Sequence, residues 1–503
     1  VMILLMALID MLGIASIMPF IAVITNPDLI ENNYILNYFY EFSGIFGVTT
    51  NQQFIFIFGI VVFLFLLFSL SFKALTFYAQ TKFISMREYS LGKRLVESYL
   101  HQPYSWFLYR HSAEIGKTVL SESSKVINKG LTPLFSLISQ SAVAISIIIL
   151  LILVDLKLTI IVGLTLGTAY LSIYKLTQKF ISRIGKESVK VNEGRFTALS
   201  EAFNAAKEIK LGGLEQIYIS LFSDKAKILA KNTISLSIIG QMPRFTLEAI
   251  TFGGMILVTL YLMSQSGSFI KVAPILALYA FAGYRLMPAL QHIYNSIIQI
   301  NFTAPALDGV YKDLKSLQSY KKVNSQETLK LTTDIKLKDI SYDYPNTTST
   351  ALKNINLRIE ANSTVGLVGA TGSGKTTAVD IILGLLEAQK GVLEVDGKEI
   401  NKNNRRAWQR SIGYVPQQIF LSDNTVEANI AFGVDPKDID LEAVERASKI
   451  ANLHNFVTND LSLKYQTLIG ENGIRLSGGQ RQRIGIARAL YHKPQVLILD
   501  EAT

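Results

Sequence analysis

Long stretches with almost no charged residue dominate the first three hundred positions of this 503-residue chain. Each is close to the roughly 20 apolar residues that an α-helix needs to cross a bilayer. A soluble protein would have to bury six such runs in succession, and the charged fraction of 17% falls below the quarter typical of soluble domains. The sequence therefore predicts an all-α membrane domain with six spanning helices. They are expected within residues 1–25, 54–72, 131–154, 158–174, 249–270 and 272–300.

The placement of lysine and arginine predicts the orientation of this domain. Neither residue occurs before Lys73, so the loop at residues 26–53 is expected outside. Residues 73–129 and 175–244 are rich in both and are expected in the cytoplasm, as helical rods that continue the spanning helices. The chain has 26 basic and 18 acidic residues up to Tyr320, against 23 and 21 after it. The positive charge thus belongs to the membrane half, which indicates lipid headgroups as partners and not nucleic acid.

The composition changes after Tyr320 to short strands, glycine-rich turns and amphipathic helices, which is an α/β pattern. We expect a membrane domain at residues 1–320, a polar linker at 321–333 and an α/β domain at 334–503. Because the chain opens inside an apolar run and stops inside a motif, we expect a fragment truncated at both ends. It contains no cysteine, which excludes a disulfide scaffold, a thiolate metal site and a catalytic cysteine.

A glycine-rich loop lies between a predicted strand at residues 363–369 and a predicted helix at 377–386. Its pattern, G-x-x-x-x-G-K-[ST] in a strand–loop–helix context, is typical of a phosphate-binding loop. Backbone N–H groups curl around a phosphate there, and the helix N-terminus adds positive potential. We expect Lys375 to reach the β- and γ-phosphates and the Thr376 hydroxyl to ligate Mg²⁺. The predicted contacts are Gly369, Ala370, Thr371, Gly372, Ser373, Gly374, Lys375, Thr376 and Thr377.

A predicted apolar strand at residues 496–499 ends in Asp500 and Glu501. Parallel strands deliver their carboxyl ends to the ligand crevice, so Asp500 suits the Mg²⁺ shell and Glu501 suits polarising the attacking water. A second anion-binding nest opens a predicted helix at residues 480–491. Its residues are Ser477, Gly478, Gly479 and Gln480. One small domain has little use for two phosphate nests, so we expect the second nest to close over nucleotide held by another copy.

In this order and spacing, the three motifs resemble the ATP-binding cassette of ABC transporters, and the six preceding spans resemble an exporter-type half-transporter. The resemblance implies a P-loop NTPase cassette that binds and hydrolyses ATP with Mg²⁺. It implies that Tyr344 stacks on adenine and that Gln417 touches Mg²⁺ and water. Lys375 and Glu501 would be catalytic, and Thr376, Gln417 and Asp500 would hold the metal.

The resemblance also implies a homodimer with two shared ATP sites, although a heterodimer with a degenerate partner remains open. The segments near residues 102–109 and 203–213 would hold coupling helices that dock on the cassettes. Residues 470–473 would contact the intracellular loops.

Two arginines, Arg244 and Arg285, lie within the fifth and sixth predicted spans or at their edge. A charge in hydrocarbon costs from about 2.5 to more than 10 kcal/mol, so such residues face a cavity or a partner. One interpretation is that both hold a phosphate or pyrophosphate headgroup. In the structural alternative, Arg244 pairs with Glu248 four residues later, and Asp10 neutralises Arg285. His292 is expected to be ordinary packing.

The segments at residues 18–20, 243–248 and 284–288 resemble bacterial flippases of lipid-linked oligosaccharides. This resemblance implies that a lipid-linked saccharide moves from the inner to the outer leaflet of the bacterial plasma membrane, with the cassette in the cytoplasm. One alternative is an exporter of peptides or hydrophobic drugs. A second is a membrane ATPase that regulates a channel and translocates nothing.

Overall fold

The computed structural model describes residues 1–45, 47–266, 269–317, 327–345 and 350–501. Contacts divide the chain into two units. Unit 1 comprises Val1–His101 and Arg110–Ser319, and unit 2 comprises Gln102–Tyr109 and Tyr320–Thr503. The short segment at residues 102–109 thus belongs by its contacts with the second unit, although both of its neighbours in sequence belong to the first.

The helices of the first 319 residues are numbered here in chain order. They are α1 (Met2–Ala15), α2 (Ile17–Thr25), α3 (Leu29–Asn32), α4 (Tyr34–Gly44), α5 (Asn51–Leu100), α6 (Tyr104–Phe107), α7 (Ser112–Lys117), α8 (Ser123–Val126), α9 (Thr132–Val154), α10 (Leu156–Asn204), α11 (Ala206–Gly212), α12 (Glu215–Ser266) and α13 (Phe269–Ser316). Two π-helical segments, Thr118–Glu122 and Ile127–Leu131, join α7, α8 and α9 into one continuous rod.

Four of these helices are far longer than a bilayer requires. The helices α5, α10, α12 and α13 contain 50, 49, 52 and 48 residues. At about 1.5 Å per residue each is roughly 75 Å long, against a hydrocarbon core of about 30 Å. The prediction that spanning helices continue as long rods is therefore confirmed.

Within the described residues, four helical stretches are long and apolar enough to cross a membrane. They are Met2–Thr25, Asn51–Leu100, Ser112–Val154 and Thr159–Asn204. The fifth and sixth predicted spans, residues 249–270 and 272–300, lie on α12 and α13. Residues 267–268 and several side chains of both spans lie outside what the structure describes, so the count of six stays a prediction. The connection between the third and fourth spans is a single residue, because only Asp155 separates α9 from α10.

The core of unit 1 lies where its rods cross. Helix α1 packs on α5 and α9, and α13 packs on α9, α10 and α12. A Cβ atom at Gly185 of α10 would lie 2.5 Å from the carbonyl oxygen of Phe302 on α13, so glycine is what lets these two backbones approach. Ile181, Ile298 and Phe302 are buried around this crossing. The crossing fixes α13 against α10 near the middle of both rods.

Unit 2 contains six strands and six further helices in addition to the 102–109 segment, counting the described residues alone. The strands are β1 (Asp334–Tyr342), β2 (Leu352–Glu360), β3 (Lys390–Val395), β4 (Lys398–Glu399), β5 (Ile412–Val415) and β6 (Val496–Leu499). The helices are α14 (Lys375–Ile382), α15 (Arg405–Gln409), α16 (Val426–Ile430), α17 (Leu441–Ile450), α18 (His454–Asn459) and α19 (Gly478–Leu490).

The strands form two sheets. One is antiparallel with the order β2-β1-β3-β4, and the other is the parallel pair β5-β6. In the parallel pair Ile412 is opposite Val496 and Val415 is opposite Leu499. Trp408 is fully buried beneath α14, where its ring nitrogen donates a hydrogen bond to the carbonyl oxygen of Ile382 at 2.7 Å. This bond ties the end of α14 to α15.

The prediction of a strand at residues 363–369 is wrong, because this segment belongs to neither sheet. The segment has no strand assignment, and residues 363–369 are exposed. A strand exists only through pairing, and none of the described strands pairs with this segment, since β5 and β6 pair with each other. Both helices predicted beside the site are present with different ends. The helix predicted at 377–386 is α14, which begins at Lys375, and the helix predicted at 480–491 is α19, which begins at Gly478.

Candidate nucleotide site and membrane cavity

The phosphate-binding loop at residues 369–376 owes its shape to two glycines. Gly372 and Gly374 have φ angles of +82° and +87°, in the left-handed region that other residues avoid. A Cβ atom on Gly374 would also lie 2.7 Å from the carbonyl oxygen of Ala351. Gly374 caps the start of α14, so the backbone N–H groups of the first helical turn point toward the loop.

Lys375 lies folded over this loop. Its Nζ atom donates hydrogen bonds to the carbonyl oxygens of Gly369, at 2.8 Å, and Ala370, at 3.0 Å. Next to the loop, the hydroxyls of Tyr344 and Thr377 are 3.1 Å apart. The Tyr344 ring also packs edge-on against the Tyr342 ring, with 5.1 Å between the ring centroids. Tyr344 therefore lies beside the first turn of α14, next to the loop.

The register of β5 and β6 explains how two distant residues meet. Val415 and Leu499 are paired at the carboxyl ends of these strands, and the Asp500 N–H donates to the Val415 carbonyl oxygen at 3.0 Å. Gln417 and Glu501 each lie two residues beyond that pair. The Gln417 Nε2 atom donates to Glu501 Oε2 at 2.5 Å, and both side chains are exposed. The sheet thus brings together three predicted site residues that are up to 84 positions apart.

Two residues that the sequence reasoning missed lie near Asp500. Burial, together with the charge of Asp500, raises the pKa of Asp380, on α14, to about 6. Burial also raises the pKa of Tyr414 to about 12, with added contributions from Asp500 and Asp380. The sequence signal that could have identified Asp380 is its place as the single acidic residue in the apolar segment 378–382. Asp500 therefore lies near the carboxyl group of Asp380 and the hydroxyl of Tyr414.

The segment at residues 102–109 reaches the same region of unit 2. Burial raises the pKa of Tyr104, with further electrostatic contributions from Asp380 and from the Tyr344 phenol group. Tyr104 is therefore electrostatically close to residues on both sides of the phosphate-binding loop. The expected docking of this segment on the cassette agrees with its membership of unit 2.

The second nest opens α19 through a reciprocal cap. The Ser477 hydroxyl accepts a hydrogen bond from the Gln480 N–H at 3.3 Å, and the Ser477 N–H donates to the Gln480 side-chain oxygen at 2.8 Å. This capping box fixes the start of the helix. Gly478 and Gly479 are exposed, and a Cβ atom on either would meet nothing within 4 Å. The first turn of α19 is therefore formed and accessible.

The residues present fit Mg²⁺ held jointly with nucleotide, and not a metal cage of protein ligands. In the described parts of the chain, no group of three or more His, Cys, Asp or Glu side chains could hold a metal. Magnesium is usually bound through one or two carboxylates together with substrate phosphates. Asp500 and Gln417 follow the ends of paired strands, and Thr376 opens α14. This sparse oxygen set matches that mode of binding.

A cavity of about 650 Å³ lies between α12 and α13 in unit 1. Its polar lining comes from Gln241, Arg244, Glu248, Tyr284, Gln291 and His292. The Arg244 Nε atom donates to Glu248 Oε1 at 2.8 Å, so the pair predicted between these residues is present. His292, expected to be ordinary packing, is exposed and lines the cavity. The cavity therefore carries one arginine, one histidine and one carboxylate.

Arg285 instead faces Asp10 on α1. Its Nη1 atom is 3.2 Å from Asp10 Oδ1, and the Asp10 side chain is only 2% exposed. Ser69 donates a hydrogen bond to the same carboxylate at 3.0 Å, and the Lys73 Nζ atom is 3.7 Å from it. The structural alternative for Arg285 is thus the one formed, and its contact with substrate stays a prediction.

Comparison with known proteins gives matches along nearly the whole chain. A family model described as the ABC transporter transmembrane region matches residues 14–289, and one described as ABC transporter matches residues 352–503. The ATP-dependent lipid A-core flippase of Saccharophagus degradans is 30% identical over 422 residues, which is 82% of this chain and 69% of that protein. The protein of the same name from Cupriavidus metallidurans is 28% identical over 415 residues, with the same coverage.

Two further matches cover the cassette and the fold. Human ATP-binding cassette sub-family B member 5 is 43% identical over 170 residues, which is 34% of this chain and 13% of that protein. A solved structure of a bacterial Atm1-family ABC exporter with ATP bound aligns with a TM-score of 0.77. It is 19% identical and covers 100% of this chain and 85% of that one, so the likeness is one of fold.

Proposed function

The chain belongs to the ABC transporter family, and from that premise we propose that it is a homodimeric flippase of a lipid-linked saccharide in a bacterial inner membrane. It is a multi-pass membrane protein and an ATP-hydrolysing transporter. The substrate, the dimer and the roles of individual residues belong to the proposal.

The pairing of β5 with β6 carries the hydrolytic part of the proposal. Glu501 accepts a proton from the attacking water, because it is exposed at the edge where the parallel strands end. The hydrogen bond from Gln417 orients the Glu501 carboxylate for this task. Lys375 turns from the loop carbonyl oxygens to the β- and γ-phosphates when nucleotide binds. When Mg²⁺ is bound, through Thr376, Gln417 and Asp500, it supplies neutralisation of the phosphate charge.

The dimer part of the proposal is supported by the exposure of two anion-binding helix starts. The loop at residues 369–376 and the nest at Ser477, Gly478 and Gly479 both present backbone N–H groups at the surface of unit 2. Each ATP is held between the loop of one chain and the nest of its partner. Closure on ATP and reopening after hydrolysis give alternating access in the membrane units.

The substrate part of the proposal is supported by the α12–α13 cavity. Its 650 Å³ volume exceeds what a lone phosphate needs and accommodates a phosphorylated sugar. Arg244, already positioned by Glu248, and His292 line it and supply donors for an anionic headgroup. The relatives named as lipid A-core flippases support a saccharide-bearing lipid as the cargo.

Reconstitution of the full-length protein in liposomes tests the proposal. The probe is a fluorescent polyprenyl-pyrophosphate-linked oligosaccharide, and its accessibility to an external quencher reports translocation. Arg244→Gln is expected to abolish translocation while ATP hydrolysis persists. Lys231→Gln, an exposed change on the same helix, is the matched control. Glu501→Gln is expected to lower hydrolysis by about 10²-fold or more. Equal translocation of the probe by Arg244→Gln would contradict the headgroup role, and transport of a peptide or drug instead would favour the alternative exporter.

A further inference from the structure

A single carboxylate holds both ends of the segment that leaves unit 1 for unit 2. The segment at residues 102–109 is flanked by Tyr99, near the end of α5, and Arg110, just before α7. The Tyr99 hydroxyl donates a hydrogen bond to Asp313 Oδ2. The Arg110 Nη2 atom donates to Asp313 Oδ1 at 3.0 Å. Each oxygen of Asp313 therefore serves one end of the segment.

These bonds are partly shielded from water. The Asp313 side chain is 11% exposed and Tyr99 is 3% exposed. Arg110 is further held by Glu114, at 3.0 Å from its Nη1 atom. Bonds to an ionised group are stronger than neutral ones, and low local polarity strengthens them further. The two ends of the segment thus share the Asp313 carboxylate, in addition to the contact of Arg110 with Glu114.

We call Asp313 and its bonds to Tyr99 and Arg110 the clamp. The position of Asp313 in the chain determines which segments the clamp connects. It lies in the last turn of α13, three residues before that helix ends at Ser316. Beyond it the chain continues to β1 at Asp334, the first strand of unit 2. Two segments therefore lead from Asp313 to unit 2. One is the chain that follows α13, which we call the covalent route, and the other is residues 102–109, which we call the contact route.

We propose that Asp313 is a positioning residue that makes these two routes move as one, so that ATP-driven motion of the cassette is converted into motion of the membrane rods. The transport readout of this inference rests on the proposed flippase function. Asp313 is not among the residues that we assign to the nucleotide site, and it is not among the residues that line the α12–α13 cavity. Its loss is expected to uncouple hydrolysis from translocation without disabling hydrolysis.

A purely structural role predicts something different. If the clamp only stabilises unit 1, its loss lowers the melting temperature and scales down hydrolysis and translocation together. If it couples the two routes, the quantity of lipid moved per ATP falls while basal hydrolysis persists. The ratio of the two rates therefore separates the two roles.

The experiment compares Asp313→Asn with Asp308→Asn, an exposed carboxylate on the same helix, in the full-length protein. Basal ATP hydrolysis is expected to stay within about twofold, because the nucleotide site is untouched. The fluorescent lipid moved per ATP is expected to fall about tenfold, the effect of losing one charge-assisted hydrogen bond. Asp313→Glu, which keeps the charge, is expected to restore part of the ratio.

A second measurement needs no substrate. Deuterium exchange in residues 102–109 is expected to rise in Asp313→Asn and not in Asp308→Asn. An unchanged lipid-to-ATP ratio in Asp313→Asn, or unchanged exchange, overturns the inference. If the wild-type protein hydrolyses ATP but moves no lipid probe, the proposed function fails instead, and the exchange measurement still decides whether the clamp exists.

Discussion

Removing Arg285 tests whether its role is to neutralise Asp10 or to bind cargo. Asp10 is 2% exposed on α1 and receives Arg285 at 3.2 Å, the Ser69 hydroxyl at 3.0 Å and, more distantly, Lys73 at 3.7 Å. Arg285→Gln leaves the carboxylate with a neutral donor and a lysine that is 39% exposed. Breaking one side of a buried pair costs about 3–5 kcal/mol. The remaining Lys73 contact offsets part of this, so we expect a loss of about 2–3 kcal/mol.

The double variant supplies the decisive comparison. Asp10→Asn combined with Arg285→Gln removes both charges and leaves two amides that can hydrogen-bond, so we expect it to be about 2 kcal/mol more stable than Arg285→Gln alone. Denaturant or thermal unfolding of the four proteins of this cycle in detergent measures the coupling. Probe translocation in liposomes is measured in parallel and is expected to recover with stability.

One pattern of results would refute this reasoning. If Arg285→Gln is as stable as the wild type but moves no lipid, and the added Asp10→Asn change does not restore translocation, Arg285 acts on the cargo and its contact with Asp10 is incidental.

Three further perturbations test the nucleotide unit. Gly374→Ala is expected to abolish ATP binding, measured with a fluorescent ATP analogue, because its Cβ would meet the Ala351 carbonyl oxygen at 2.7 Å; retained binding would contradict the loop geometry. Ser477→Ala removes one half of the capping box and is expected to cost about 1 kcal/mol of stability, measured by thermal unfolding. Asp380→Asn is expected to stabilise the protein by about 1 kcal/mol at pH 7.5. The pKa of Asp380 is raised to about 6, so its ionisation costs stability as pH rises from about 4 to 6, and melting curves of the variant should lose that decline.

Around the predicted nucleotide site, the sequence was a good guide to backbone conformation that depends on neighbouring residues. A G-x-x-x-x-G-K-[ST] loop needs left-handed glycines at fixed offsets, and Gly372 and Gly374 adopt them. The residues from Ser477 to Gln480 were expected to open a helix, and they lie at the start of α19. Such features depend on a few adjacent residues and therefore survive in any tertiary context.

The sequence predicted less well where the outcome depends on distant partners. Residues 363–369 have strand-like composition, but pairing decides whether a strand forms, and composition does not reveal the partner. Arg285 has the same chemistry whether it faces cargo or Asp10, 275 positions away, and only the crossing of the helices distinguishes the two. Asp380 is one acid in an apolar helix, and its raised pKa arises from burial and from Asp500.

The two π-helical segments between α7 and α9 determine which face of the α7–α9 rod is turned toward its neighbours. Thr118–Glu122 and Ile127–Leu131 each accommodate one residue more per turn than regular helix. Converting either to regular geometry would rotate everything beyond it by about 100° and slide it by about 1.5 Å. A small rearrangement of hydrogen bonds would thus present a different face of α9 to its neighbours, with no bend in the rod.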